Sequence, residues 1–415
     1  MGERVQTVDQ PRLNPCELEI DLFCRGVRLS PAAESRVRPA RRTRAGLGSG
    51  VELVLPGSSG DIWVNVPVRE EFARRSPYLL DVDEGGALHL CDDRSGLIYP
   101  VRFNGEPRWY NWKTSSGRKM AEVGVLQGTY LAVYIGPICR YWTGEPRENC
   151  AFCTTGLNEE VRGGRRKSVA DVVETAAAAR RESGITFVHF NSGYQGGRDL
   201  ELALPFVRAV KQRTGLLVGL QLAPVEDLAQ YDEVIAAGVD HFSFCFEFMS
   251  PEAFARFCPG KARTLGQEAF FRAMEYTSRR LGKGRVSGEI IAGLEPVEET
   301  LRAIDLITDC GAFPTVCVFR PLQGSRLEDA PPPCFEDMRR IFEYMMDRLV
   351  EKRIPIGLAP NLEVSLVVQP TDGLYLLKRN GRSLLYKAYN GLLKVAARSV
   401  FAWRMTWADR RLISN

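Results

Sequence analysis

Three cysteines carry the spacing with the clearest chemical meaning in this chain: Cys139, Cys150 and Cys153, in the pattern C-x10-C-x2-C. Soft thiolates select iron–sulfur clusters, zinc or copper(I). A structural zinc site takes four protein ligands, and no fourth Cys or His lies within reach in sequence. His89 and Cys91 come well before the group, in another part of the chain. Three thiolates without a fourth would leave one iron of a [4Fe–4S] cluster open to an exogenous ligand. A zinc knuckle completed by a distant residue, or three unrelated buried thiols, remain open on the residues alone. Histidine offers little else, since His89, His189 and His241 are the only three. A Ser-His or histidine-rich zinc mechanism starts with few candidates.

The elements that must position these thiols form two patterns. Residues 1–16 read as a tail. Residues 17–127 read as a β-rich region, with alternating apolar runs at Glu17–Leu22, Val51–Leu55 and Asp61–Val66 separated by turn residues. A basic stretch, Arg36–Arg44, interrupts it and reads as a solvated loop. From 128 to 360, apolar runs alternate with helical stretches. The strand candidates are Tyr130–Ile135, Ile185–Phe190, Leu216–Leu222, His241–Phe246, Val286–Gly293, Thr315–Phe319 and Ile354–Leu358. The helices between them are Ser168–Ser183, Asp199–Thr214, Val225–Ala237, Gly266–Leu281 and Pro296–Cys310. Apolar strands joined by helical crossovers imply an α/β fold with a parallel sheet, a full or partial (β/α) barrel. Reactive groups then belong at the C-terminal ends of the strands, where Cys139 falls. Residues 361–415 read as a basic helical region. Leu385, Tyr389, Leu392, Ala396, Val400, Trp403 and Trp407 recur at helical spacing there, a stripe that either packs on the barrel or lies on an anionic membrane or a partner.

Cys150-Ala151-Phe152-Cys153 resembles the second half of the radical S-adenosylmethionine (radical SAM) signature, in which an aromatic precedes the third cysteine. The usual first spacing is three residues and here it is ten, so Arg140–Asn149 would have to loop outward. Asn191–Gly197 has the glycines of the segment that holds the methionyl amino group but lacks its glutamate. Ser287–Glu295 is similar to the glycine motif beside the adenine, and Phe319–Ser325 resembles the turn after the sixth strand. The details are similar to the biotin synthase and lipoyl synthase branch. They are most similar to a mycobacterial-type group found beside nitrilase-like genes, over about residues 50–335. That group's further C-terminal cysteine cluster is not expected here, because no cysteine follows Cys334.

The resemblance implies a [4Fe–4S] cluster on Cys139, Cys150 and Cys153, with SAM on the open iron. It also implies reductive cleavage of SAM to a 5′-deoxyadenosyl radical that abstracts hydrogen from an unidentified substrate. Ser192, Gly193, Glu247, Lys261, Gly288, Gly293, Arg320 and Phe152 become candidates for contact with the cofactors. Lys261 and Arg320 would face the methionyl carboxylate, and Glu247 the ribose or the ammonium. His189 reads instead as a core histidine and Cys245 as an inert buried thiol, with Cys258 among the structural cysteines. Methyl transfer, sulfur transfer, or a non-catalytic zinc- or cluster-binding module are the alternatives. A reductant such as flavodoxin or ferredoxin is the expected partner.

Composition is compatible with this. The chain has 415 residues, 45% hydrophobic and 26% charged, which is ordinary globular usage. The net charge of +4 is no nucleic-acid signature. Charge is uneven, however: 373–415 holds nine Lys/Arg and one acid. The 11 scattered cysteines and the absence of an apolar leader or long apolar run lead to the expectation of a cytoplasmic protein with free thiols.

Overall fold

The computed structural model describes residues 12–37, 50–161 and 166–413. The tail to residue 11, most of the basic stretch and the side chain of Trp407 lie outside the described residues.

Among the described residues, thirteen strands form three sheets. Strands β1 (Arg28–Leu29), β4 (Tyr78–Val82), β5 (Leu88–Asp92) and β6 (Leu97–Pro100) make a four-stranded sheet; β2 (Gly50–Leu55) and β3 (Ile62–Pro67) make an antiparallel pair. The third sheet holds β7 (Val125–Gln127), β8 (Tyr130–Tyr134), β9 (Phe187–Asn191), β10 (Leu217–Gln221), β11 (His241–Glu247), β12 (Val286–Ala292) and β13 (Phe313–Val318), in sequential order. From β8 to β13 all neighbours are parallel, while β7 runs antiparallel to β8. The sheet curls into a half-barrel. Helices Val169–Ser183, Asp199–Thr214, Ala229–Ala236, Gly266–Leu281 and Val297–Asp309 are the crossovers, and Phe335–Glu351 follows β13. Ser168 caps the first crossover by accepting from Asp171 N.

Each strand presents alternate residues to the helices and to the lumen. The helix-facing set, such as Val188, Val218, Phe242 and Ile290, belongs to one continuous apolar core that also takes in the N-terminal sheets. On the lumen side, Tyr130, Ala132 and Phe187 form a separate small cluster.

Two strand expectations are corrected. Glu17–Leu22 lies in a helix, Pro15–Arg25. Asn14 accepts from Cys16 N and Glu17 N, and Glu17 returns the bond to Asn14 N at 3.0 Å, a capping box with Pro15 in the first turn. The alternation misled because this helix is buried on most sides. Glu19 and Asp21 are as inaccessible as Leu18 and Ile20, with Asp21 held by Arg94 at 2.9 Å and by Tyr78 Oη at 2.7 Å. Ile354–Leu358 is the second case. Ile354 and Ile356 are buried but join no ladder. Their polar backbone is satisfied instead by Tyr386 Oη, which donates to Ile354 O, and by Asn390, which bonds both Ile356 N and O. The sheet therefore stays open at β13.

Asn14→Ala removes the cap of the Pro15–Arg25 helix and should destabilise the fold by about 1 kcal/mol. A fall in the thermal midpoint that Asn14→Asp restores would confirm it.

Candidate metal centre

The loop after β8 brings Cys139 onto the C-terminal rim of the sheet. It lands on the turn after β9. Gly193 there has φ +61, and a Cβ at this position would stand 2.7 Å from the Cys139 Cβ, so only glycine admits the thiol. The next amide, Tyr194 N, donates to Cys139 Sγ at 3.4 Å. The Tyr194 ring stacks on Tyr141 at 4.5 Å between centroids, and Arg140 N donates to Tyr194 O at 3.0 Å. Cys139 is thus pinned to the turn after β9.

Cys150 and Cys153 sit in the next loop. Ala151 N donates to Phe257 O at 2.8 Å, and Arg326 N donates to Ala151 O at 2.9 Å. The Cys153 thiol exchanges contacts with Thr155 Oγ1 at 3.3 Å and Thr155 N at 3.4 Å. Phe152, between the two cysteines, meets Phe248 edge to face at 6.1 Å.

Sequence reasoning missed Cys258, which donates its S–H to Cys150. That bond lowers the Cys150 thiol's pKa against its burial. Burial raises Cys139, and raises Cys153 to about 12, with Cys150 adding to both. The three thiols are therefore close enough to feel one another's charge. Among the described residues, however, no three Cys, His, Asp or Glu side chains converge to hold a single metal ion. A polynuclear cluster binds each thiolate to a different iron, so its ligands surround a volume and need not meet at a point. Three thiolates are a donor set that such a cluster can use.

Lys261 and Glu247 stand beside the thiols. Lys261 Nζ bonds Glu247 Oε1 and the Cys245 carbonyl, both at 2.7 Å. Burial alone would lower the pKa of this ammonium. Glu247 and the thiols of Cys150, Cys258 and Cys245 outweigh it and hold it well above its ordinary value. Glu247 has φ 68 and follows a register shift between β11 and β12. Phe248 N closes back on Phe246 O at 2.8 Å, a γ-type turn of the strained kind. Strain of this sort persists where surrounding structure over-determines it.

The other cofactor candidates are not brought together with the cysteines. The Ser192 hydroxyl is occupied by Gly193 O at 2.7 Å and Asp199 at 3.2 Å. A Cβ on Gly288 would strike Ile307 and Met274, so this glycine serves helix–sheet packing. Gly293 lies against Pro333 and Phe319. Arg320 is buried under the N-terminal sheets, donating to Asn65 O at 3.2 Å and Leu366 O at 2.9 Å, over the Phe23 ring. Its carboxyl neighbours are Glu70 and Glu19. These contacts occupy the guanidinium that was expected to face a methionyl carboxylate.

Below the rim the lumen carries a polar network. Asn191 Nδ2 donates to Gln221 Oε1 at 3.1 Å, and Gln221 Nε2 to Glu289 Oε2 at 2.5 Å. Glu289 also accepts from Ser243 and from the Cys245 thiol. Ser287 Oγ bonds Ser243 Oγ at 3.0 Å and contacts His241 Nε2 at 3.3 Å. Burial raises the Glu289 carboxyl and lowers His241 to about 4. His189 faces this lumen, near Tyr130 and His241, and not the helix-side core. Cys245 likewise belongs to the lumen. Alternation along β10, β11 and β12 was the signal that could have found these residues, once strand phase was known.

No family model matches the chain. A segment of 119 residues, 28% of the chain, is 29% identical to the bacteriochlorophyllide c C-7(1)-hydroxylase of Chlorobaculum limnaeum and spans 30% of that protein's length. Three solved structures resemble the chain distantly. The FeFe-hydrogenase maturase HydG from Carboxydothermus hydrogenoformans has TM-score 0.43 at 17% identity, covering 55% of this chain and 52% of its own. A radical SAM methyltransferase from Sphaerobacter thermophilus has TM-score 0.42 at 13% identity, covering 69% and 79%. Methylornithine synthase (PylB) has TM-score 0.41 at 16% identity, covering 64% and 81%. No helix among the described residues is long and apolar enough to cross a membrane.

Two predictions follow from the placements. Arg320→Met strands two buried carbonyls and should cost about 3 kcal/mol of stability, read as a fall in the thermal midpoint; a variant as stable as the wild type would overturn this structural role. Asp199, beneath Ser192, has its carboxyl raised by burial to about 7 from 3.8, against bonds from Gln195 N and Ser192. Its folded pKa exceeds the unfolded one, so its contribution is full below about pH 4 and is lost as pH rises through about 7. The thermal midpoint should fall across that window, and Asp199→Asn should flatten the fall.

Proposed function

We propose that this chain is a radical SAM enzyme acting on a substrate held in the half-barrel lumen. The observation that carries the reading is the placement of the three thiols of the C-x10-C-x2-C motif. Cys139 abuts the turn after β9, and the Cys150–Cys153 loop is bonded to Phe257 and Arg326, which supports a position for the three at the C-terminal rim of the parallel sheet. The local likeness to a hydroxylase, whose name describes oxidation at a carbon, supports it.

Cys139, Cys150 and Cys153 would hold three irons of a [4Fe–4S] cluster, leaving the fourth for SAM. Together these groups would supply reductive cleavage of SAM and, with it, hydrogen abstraction from an unreactive carbon. The remaining tasks fall to the chain's own residues. Cys258 stabilises thiolate character on Cys150 by donating its S–H. Lys261 keeps a positive charge beside the thiolates, offsetting their mutual repulsion. Glu247 neutralises that ammonium through Oε1. Asn191, Gln221 and Glu289 would orient polar groups of the substrate. Cys245, whose pKa is raised well above its ordinary value by burial and then by Glu289 and Glu247, keeps its S–H in the lumen. The apolar core behind the sheet excludes water from the site. Flavodoxin or ferredoxin would supply the electrons, and nucleic acid has no place in this reading.

The test is anaerobic reconstitution with iron and sulfide, addition of SAM and dithionite, and quantification of 5′-deoxyadenosine. We expect the product from the wild type and none from Cys150→Ala. S-adenosylhomocysteine in its place would indicate methyl transfer. Stoichiometric zinc with no SAM-derived product would overturn the enzyme reading and leave a metal-stabilised binding module.

A further inference from the structure

The C-terminal helix, Gly381–Ile413, turns its apolar stripe outward. Sequence periodicity grouped Leu385, Tyr389, Leu392, Val400 and Trp403 on one face, left open between packing on the barrel and contact with a membrane or a partner. In the structure Leu385 is 74% exposed, Leu392 73%, Val400 65% and Trp403 65%. Leu384 and Val395 are exposed beside them, and of the large apolar side chains exposed among the described residues only Ile98 and Trp112 lie elsewhere. The face that packs is the more polar one. Tyr386 and Asn390 bond the Ile354–Ile356 backbone, and Arg404 reaches Asp240 at 3.1 Å. At 100° per residue, Arg382 borders one edge of the outward apolar face and Lys387 and Arg398 the other. The segment 373–415 carries nine basic residues and one acid. An apolar face this continuous, on a basic helix, is not left to water without a reason.

A second feature lies beneath this helix. A chamber of about 650 Å³ opens at the N-terminal ends of the strands. Its walls are mostly apolar and aromatic, including Phe187, Leu217, Phe313 and Ile356, and it reaches up to Gln221 and Glu289. Ala397, Val400, Phe401 and Trp403 of the C-terminal helix form its rim. Val400 and Trp403 therefore face both the chamber and the surface. At about 3.3 Å per residue, β11 places this mouth roughly 20 Å below the cysteines.

We propose that the C-terminal helix lies on an anionic lipid surface, and that the chamber takes the apolar part of a lipid-borne substrate from that surface. The basic border supplies charge complementarity to anionic headgroups. The polar network then meets the functional group of the molecule, and the apolar walls hold its body. The docking stands on the helix alone; the word substrate rests on the radical SAM reading.

Neither test uses the cluster or SAM, so failure here is separate from failure of that reading. Co-sedimentation is measured with vesicles of phosphatidylcholine and of phosphatidylcholine mixed with phosphatidylglycerol. The wild-type chain should bind the anionic vesicles, less so as salt rises, and Leu392→Glu should weaken partitioning roughly tenfold. A dansyl-labelled fatty acid reports the chamber by its fluorescence. Ala397→Trp, which fills the rim, should abolish that signal and spare vesicle binding, whereas Leu392→Glu should do the reverse. Absence of vesicle binding at low salt, or a concentration-dependent dimer dissociated by Leu392→Glu, would overturn the docking and give the face to a second copy. Fatty acid binding that Ala397→Trp leaves intact, or no binding at all, would overturn the chamber's role.

Discussion

The site depends on one buried ion pair. Lys261 and Glu247 are both largely withdrawn from water, and an isolated charge there would cost several kcal/mol. Each is tolerable only against the other, so the segment carrying Lys261 is held to the tip of β11. The same segment carries Cys258 and receives the cysteine loop through the Gly260 N to Glu148 O bond at 3.2 Å. Breaking the pair would remove one of the ties between the Cys150–Cys153 loop and β11, leaving those of Ala151 to Phe257 and Arg326. The strained backbone at Glu247 fits this account. The turn swings the carboxylate toward the lysine, and the pairing outweighs a distortion of about 1–3 kcal/mol.

Polarity changes in steps along the lumen. Thiols and a paired ammonium occupy the rim, amide and carboxyl groups the middle, and aromatic and aliphatic side chains the opening beneath. A carboxyl such as Glu289, raised by burial, accepts bonds from Ser243, Cys245 and Gln221 that lock the middle layer. Buried polar networks of this kind specify one arrangement when each member is satisfied. Asn191 Oδ1 is buried and has no hydrogen-bond partner among the described residues, so this member of the network is incompletely satisfied. In the proposed reading, such a graded lumen selects a molecule with a polar functional group and an apolar body.

Much of this was legible from residue order. Parallel strands were evident because apolar runs and helical periods alternate, and the expected helices Ser168–Ser183 and Asp199–Thr214 match the observed ones to within a residue. The C-x10-C-x2-C motif was readable because its spacing is local. Tertiary structure decided what depends on which face meets which neighbour. The Pro15–Arg25 helix resembled a strand because its acids are buried with its leucines. The apolar stripe of the C-terminal helix was readable, but its direction was not, since Tyr386 and Asn390 face inward to satisfy a backbone that never joins the sheet. Cys258 reaches Cys150, and Arg320 turns to Asn65 and Leu366, across separations that no local pattern encodes. Periodicity is a property of one element. Burial, partnering and the charge state of a side chain belong to the space between elements, and only the folded chain defines that space.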